Sequence, residues 1–338
     1  MKTLVCMKPG LFEYRDKNEP LLTPGHSIIK VERLGICGTD MHAFEGTQPY
    51  FEYPRILGHE LSGSLVAQGS FDTFRDGESV AIIPYLNCNK CIACRNGLTN
   101  CCTNIKVFGV HLDGGMAEYL SVPDYLLVHG GDMSFDTLSL LEPLAIGAHG
   151  IRRANVQPGE FVLVVGAGPI GLGTMQFAAI AGGEVIAMDL NAERLSFAKD
   201  KLNIHHAINA LSETMSEQLA DITNGDMPTV VIDATGSRSA INNSLLYLAH
   251  GGRYILIGLQ KDKICFSHPE FHKRETTLMS SRNATREDFD HVIECIRNGS
   301  VDPLNYITHR AGFNELKDVF ESWTKAENGV IKAMVDFN

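Results

Sequence analysis

The stretch Phe161-Val162-Leu163-Val164-Val165-Gly166-Ala167-Gly168-Pro169-Ile170-Gly171 decides the fold of the middle of the chain. Its five apolar residues read as a buried strand. Three glycines follow at GxGxxG spacing, then a helical segment to about residue 181 and a second apolar strand over 185–189. This is a β-α-β unit with a glycine loop at its first turn. Gly166 makes the tight turn, Gly168 lets the backbone approach a pyrophosphate, and Gly171 lets helix and strand pack closely. The helix that starts at Pro169 and Ile170 offers unpaired N–H groups and a partial positive charge to phosphates. Asp189 ends the second strand, 18 residues after Gly171. A carboxylate there binds the adenosine ribose hydroxyls and repels a 2′-phosphate, so NAD is expected rather than NADP. Arg194 follows as a cation near the same end.

Working outward, buried-strand patterns recur over 230–234 and 254–258, with helical segments between. Strands alternating with helices imply a doubly wound parallel sheet covered on both faces. A helix is expected over 144–154. Upstream, short strands over 27–34, 61–67, 79–83 and 117–122 are separated by Gly, Pro and Asp, the punctuation of an irregular β-rich domain. From about Arg286 the chain returns to helix and loop. It ends in an apolar strand over 331–337, expected to pair back with the first domain. The reading is an α/β protein of two domains. One is discontinuous, 1–145 with 286–338; the other is 146–285.

Composition narrows the function classes. The 338 residues are 44% hydrophobic and 20% charged, enough for ordinary cores. The net charge of −11 gives nothing to counterion release, so a nucleic-acid partner is not expected. The apolar run over 161–188 holds six glycines, a proline, Gln176 and Glu184, which argues against a membrane span. The opening residues reach Pro9-Gly10 before any stretch of signal-peptide length. Nine cysteines in such a chain point to a reducing, cytoplasmic setting, where clustered cysteines serve as metal ligands.

One such cluster is local. Cys88, Cys91, Cys94 and Cys102 follow the pattern CxxCxxCx7C. Four thiolates in one loop suit a closed tetrahedral zinc with no open position, hence a structural one. Cys101 adjoins Cys102, and spacing alone does not choose between them. A second set is dispersed. It comprises Cys37 in Gly35-Ile-Cys37-Gly-Thr39-Asp40-Met-His42, then Gly58-His59-Glu60, and Leu141-Glu142-Pro143. A catalytic zinc needs about three protein ligands and an exchangeable position. Cys37 and His59 are chemically suited, and Glu60 or Glu142 can supply an oxygen, but spacing does not bring them together.

Taken with the order of these motifs, and with Gly63 and Gly69 after the Gly-His-Glu, the chain resembles the zinc-containing medium-chain dehydrogenases, which include alcohol, sorbitol and threonine dehydrogenases. The resemblance covers nearly the whole chain. It implies a GroES-like catalytic domain made from both ends of the chain and a Rossmann domain between them. It implies two zinc ions per chain, one catalytic and one structural, and a homodimer or homotetramer. Carried over by motif, Cys37 and His59 are zinc ligands, and Glu60 and Glu142 lie at or beside the metal. Thr39 and His42 match the proton-relay positions. Two departures are Ser70-Phe71-Asp72 after Gly69, and Ala43 where sorbitol dehydrogenases often carry an aromatic.

The stretches Tyr53-Pro-Arg-Ile-Leu-Gly-His59, Pro84-Tyr85, Thr99-Asn-Cys-Cys102, His268-Pro-Glu-Phe-His-Lys-Arg-Glu-Thr-Thr277 and Ser281-Arg-Asn-Ala-Thr285 resemble bacterial sugar-acid dehydrogenases of the L-galactonate (L-gulonate) 5-dehydrogenase type. The implied reaction passes hydride from a secondary alcohol to NAD. A zinc ion lowers the hydroxyl's pKa, and the proton leaves through Thr39, the nicotinamide ribose and His42. Arg282, with Lys273 and Arg274 shortly before it, is a guanidinium suited to grip a substrate carboxylate. Rival readings are a sorbitol- or L-iditol-type polyol dehydrogenase, and a threonine dehydrogenase, which Leu141-Glu142-Pro143 disfavours. A non-catalytic protein that binds NAD or zinc would need none of Cys37, Thr39, His42, His59 and Glu60.

Overall fold

The structure, a computed structural model, describes residues 1–49, 51–69 and 74–337; Ser70, Phe71 and Asp72 lie outside the described residues. The chain divides into two compact units, Met1–Glu142 with Asp302–Asn338, and Pro143–Val301.

The first unit is built around the long strand His26–Ile36. It pairs antiparallel with Glu60–Ala67 along one edge, and with Tyr119–Pro123 at its own N-terminal half. The C-terminal strand Lys332–Asp336 pairs antiparallel with its other half, Ala333 opposite Ile36 and Asp336 opposite Arg33. The expected closing strand therefore does return to the first domain. Leu4, Ile29, Leu34, Leu61 and Val335 are buried, which fixes the strand register, since a one-residue slip would turn every inward side chain outward. A three-stranded sheet of Leu11–Asp16, Lys2–Lys8 and Arg55–Ile56 stands beside it.

The second unit holds six parallel strands. In spatial order they are His206–Asn209, Glu184–Asp189, Phe161–Val165, Val230–Asp233, Arg253–Leu256 and Thr277–Ser280. The order reverses between Phe161–Val165 and Val230–Asp233, which is where such sheets receive ligands at the carboxyl ends of their strands. Val162, Leu163, Val164 and Val165 are all buried, as a strand covered on both faces requires. The apolar run over 161–188 is thus a strand, the helix Pro169–Ile180 and another strand. No helix among the described residues is long and apolar enough to cross a membrane.

The unit boundaries fall at 142/143 and 301/302, not at 145/146 and 285/286. The helix Arg286–Arg297 belongs with the parallel sheet's unit for a polar and an apolar reason. Its buried Asp288 accepts hydrogen bonds from His149 Nδ1 at 2.9 Å and Arg152 Nε at 2.8 Å. Its Phe289 and Val292 are fully buried.

Candidate metal centres and nucleotide loop

Strand register assembles the dispersed set. Gly35 stands opposite Glu60, and Ala333, next to Lys332, stands opposite Ile36, next to Cys37. A side chain at Gly35 would put its Cβ 2.2 Å from Glu60 Oε2, so only glycine leaves room for that carboxylate. Cys37 caps the helix Gly38–Glu45, and His59 precedes the strand that Glu60 begins. Donor atoms of Cys37, His59 and Glu60 all lie within 4.8 Å of one another. His59 and Glu60 are buried, and Cys37 is half-buried.

Asp40 organises this cluster, and its place in Gly38-Thr39-Asp40 was the signal available for it. It is buried and accepts from the Cys37 N–H and the Gly58 N–H, each at 3.0 Å. It thereby ties the two motifs together through their backbones. Its Oδ1 lies 3.7 Å from His59 Nδ1, a buried nitrogen with no hydrogen-bond partner. Burial pushes the His59 imidazole toward neutrality, but the charges of Asp40 and Cys37 outweigh it and hold its pKa well above the ordinary value. Burial is also the main cause of the raised Asp40 pKa, with His59 and the Cys37 N–H opposing it. A crowded buried group of thiol, imidazole and carboxylates, with an imidazole nitrogen unpartnered, suits a divalent cation.

Lys332 was not found from sequence. Its ammonium lies against both Glu60 oxygens and 3.1 Å from the Ile36 carbonyl. Glu142 was expected at the metal. It is buried in the first turn of the helix Leu141–Ala154, but it is not one of the three gathered donors. Instead the buried Tyr85 phenol donates to it. Burial raises the Glu142 carboxyl, opposed by the charge of His59. Burial, then the Glu142 charge, drives the Tyr85 phenol well above its usual value. Thr39 is half-buried in the first turn of its helix, and His42 is exposed on the last turn, with Nδ1 3.2 Å from Thr47 Oγ1.

The local cluster forms around one point. The sulfurs of Cys88, Cys91, Cys94 and Cys102 lie within 4.8 Å of one another, whereas Cys101 is exposed and outside the group. Backbone N–H groups converge on the sulfurs, Cys88 N on Cys102 Sγ at 3.2 Å and Cys91 N on Cys88 Sγ at 3.4 Å. N–H groups of Cys94 and Thr103 bring the Cys91 thiol down to about 5, while burial takes Cys102 up to about 11. Sulfurs held this close, with donors aimed at them, suit a tetrahedral zinc.

In the second unit, Gly166 has φ 101°, a conformation that glycine adopts freely, and a Cβ on Gly171 would sit 1.7 Å from the Gly166 carbonyl. Gly168 caps the helix with Pro169 in its first turn and Ile170 next. Asp189 accepts from Ala167 N–H at 2.6 Å and Asn191 N–H at 2.8 Å, so it braces the glycine loop itself. Each of its oxygens retains a lone pair for a further donor. Arg194 is half-buried, with a guanidinium nitrogen 3.8 Å from where a Cβ on Gly168 would be. Arg282 is exposed just beyond the carboxyl end of Thr277–Ser280, so it lies at the same edge of the parallel sheet as the glycine loop.

Residues 23–132 match the alcohol dehydrogenase GroES-like domain, and residues 169–298 match the zinc-binding dehydrogenase domain. With a full-length relative at 41% identity, the chain belongs to the zinc-type medium-chain alcohol dehydrogenases. Within that family it falls among the zinc-dependent polyol and sugar-acid dehydrogenases. L-Galactonate-5-dehydrogenase of Escherichia coli (strain K12) is 41% identical over 338 residues, which are 100% of this chain and 99% of the relative. Sorbitol dehydrogenase of Bacillus subtilis (strain 168) is 29% identical over 316 residues, 91% of this chain and 89% of the relative. In three dimensions, a short chain alcohol dehydrogenase of E. coli CFT073, solved with NADH, matches at a TM-score of 0.93 and 30% identity. That match covers 100% of this chain and 99% of the solved one.

Proposed function

We propose that the chain oxidises a secondary alcohol of a sugar acid of the L-galactonate type, with NAD as hydride acceptor. The observation that carries the chemistry is the gathering of Cys37, His59 and Glu60 donors within 4.8 Å. The likeness to L-galactonate-5-dehydrogenase over the whole chain supports the substrate class. When bound, zinc supplies Lewis acidity toward the substrate hydroxyl, and NAD supplies the hydride acceptor.

The chain's own residues do the rest. Cys37 and His59 hold the catalytic metal, with Glu60 as the third donor and Glu142 beside them. Asp40, whose Oδ1 lies 3.7 Å from His59 Nδ1, sets the charge and orientation of the ring that binds the metal. The Thr39 hydroxyl takes the substrate proton, and His42, exposed on the last turn of the same helix, delivers it to solvent. Cys88, Cys91, Cys94 and Cys102 hold a structural zinc. The N–H groups of Gly168, Ile170 and Gly171 cradle the pyrophosphate, and Pro169, which has no N–H, starts the helix between them. Asp189 accepts from the ribose hydroxyls, with Arg194 beside the loop. Arg282 takes the carboxylate that separates a sugar acid from a neutral polyol.

The test is NADH formation from L-galactonate, L-gulonate, sorbitol and L-threonine at equal concentration. A sugar acid as best substrate is the expected result. Sorbitol as best substrate, the second reading that the B. subtilis relative favours, would keep the metal chemistry and remove the role of Arg282.

A further inference from the structure

A short ribbon stands between the two cysteine-bearing clusters. Tyr85–Leu86 pairs antiparallel with Lys106–Val107, and residues 88–102, with all four clustered cysteines, form the loop that it closes. Both arms of the ribbon lead to the catalytic cluster. On the outgoing arm, the buried Tyr85 phenol donates to Glu142. On the return arm, Phe108 N–H donates to the Pro84 carbonyl at 3.1 Å, and the chain then runs against Gly58. A Cβ on Gly109 would lie 2.7 Å from Gly58 N, and one on Gly114 would lie 2.3 Å from Gly58 O. Gly115 and Met116 donate to the carbonyls of Gly58 and Leu57, each at 2.9 Å. Gly58 immediately precedes His59 and is itself held by Asp40.

The ribbon has little of its own to keep it in place. It is two residue pairs long, and two-stranded hairpins are marginal in water even when longer. The loop offers no core, because only Asn100 and Cys102 of residues 88–102 are buried. What draws the loop together is the convergence of its four sulfurs. Closing a flexible loop at one point removes most of its freedom, and the strands that lead into it inherit the restraint.

We propose that the four-cysteine loop positions the catalytic cluster: metal held by the loop fixes the ribbon, which sets Glu142 through Tyr85 and His59 through Gly58. Tyr85 is then a positioning residue, and the loop is a structural support with a defined target. The proposal rests on the reading of Cys37, His59 and Glu60 as metal ligands.

Cobalt placed at the Cys37 site reports its ligand geometry through visible absorption bands, separately from turnover. The comparison is between the full-length protein, Tyr85→Phe, Cys94→Ser and the double variant. Each single change should shift the cobalt bands and weaken cobalt binding at that site by about 10- to 100-fold, as loss of a group that orients a ligand does. The double variant should be no weaker than Cys94→Ser alone, since both changes act along one path. Unchanged bands and affinity in folded Cys94→Ser, or losses that multiply in the double variant, would overturn the proposal. If Cys94→Ser does not fold, Tyr85→Phe, which leaves all four sulfurs of the loop in place, carries the test, and unchanged bands and affinity in that folded variant would overturn the proposal. Failure of the full-length protein to bind cobalt in a Cys37-dependent way would instead sink the reading of the catalytic cluster itself.

Discussion

Lys332 and Glu60, 272 residues apart in the chain, form a buried ion pair in which the ammonium lies 2.6 Å from each carboxylate oxygen. The pair joins the last strand to the Gly-His-Glu motif at the heart of the candidate metal centre. Removing one partner of such a pair strands a buried charge. Lys332→Met should therefore destabilise the protein by roughly 3–5 kcal/mol in denaturant unfolding. Adding Glu60→Gln should recover part of that loss. Unfolding at the same denaturant concentration as the parent would show that the pair does not hold the strand.

Cys37→Ser should abolish turnover and lower the bound zinc from two ions per chain to one, while NAD still quenches or shifts protein fluorescence at a similar concentration. Two zinc ions and full activity in this variant would remove Cys37 from the metal centre.

Asp288 gives a pH prediction. Burial pushes its carboxyl up, but hydrogen bonds from His149, Arg152 and the Thr285 N–H, with the His149 charge, hold it well below the usual carboxylate range. A depressed folded pKa means stability that is fully present above the unfolded value of about 3.9 and lost as pH falls through the folded value. Asp288→Asn should be less stable at pH 7 by roughly 2–3 kcal/mol, the worth of hydrogen bonds to a charged group. Its melting temperature should also fall less between pH 5 and pH 2 than that of the parent. Parallel acid profiles for the two proteins would refute the role.

Asp189 should decide between nucleotides. If its carboxylate holds the ribose hydroxyls as proposed, a 2′-phosphate would meet it, and like charges placed together cost several kcal/mol. Turnover should favour NAD over NADP by roughly 100-fold or more in kcat/KM. Asp189→Ser should narrow that ratio, and it should also weaken NAD, because Asp189 braces Ala167. Equal use of both nucleotides by the parent protein would contradict the assignment.

Arg282→Ala should raise KM for a sugar acid by roughly 10- to 100-fold, the value of a charge-assisted bidentate contact, and leave a neutral polyol nearly unaffected. An unchanged KM for the acid would leave Arg282 without a part in recognition.

The sequence alone determined what neighbours in the chain can settle among themselves. The glycine loop, its helix and Asp189 lie within 29 residues from Phe161, and local spacing fixes their relation. The four-cysteine loop is equally local, although the choice of Cys102 over Cys101 needed coordinates, because two adjacent side chains point differently and spacing does not show which points inward. The return of the last strand was legible in its apolar pattern. Which residues meet there was not. Strand register sets Gly35 opposite Glu60 and brings Lys332 to Cys37, and register follows from burying three strands at once. The same holds for Tyr85 on Glu142 and Asp40 beside His59, contacts between side chains whose motifs carry no mark of each other. The second unit boundary moved to 301/302 for a similar reason: a helical pattern shows that a helix forms, and only packing, here Asp288 on His149 and Arg152, decides against what.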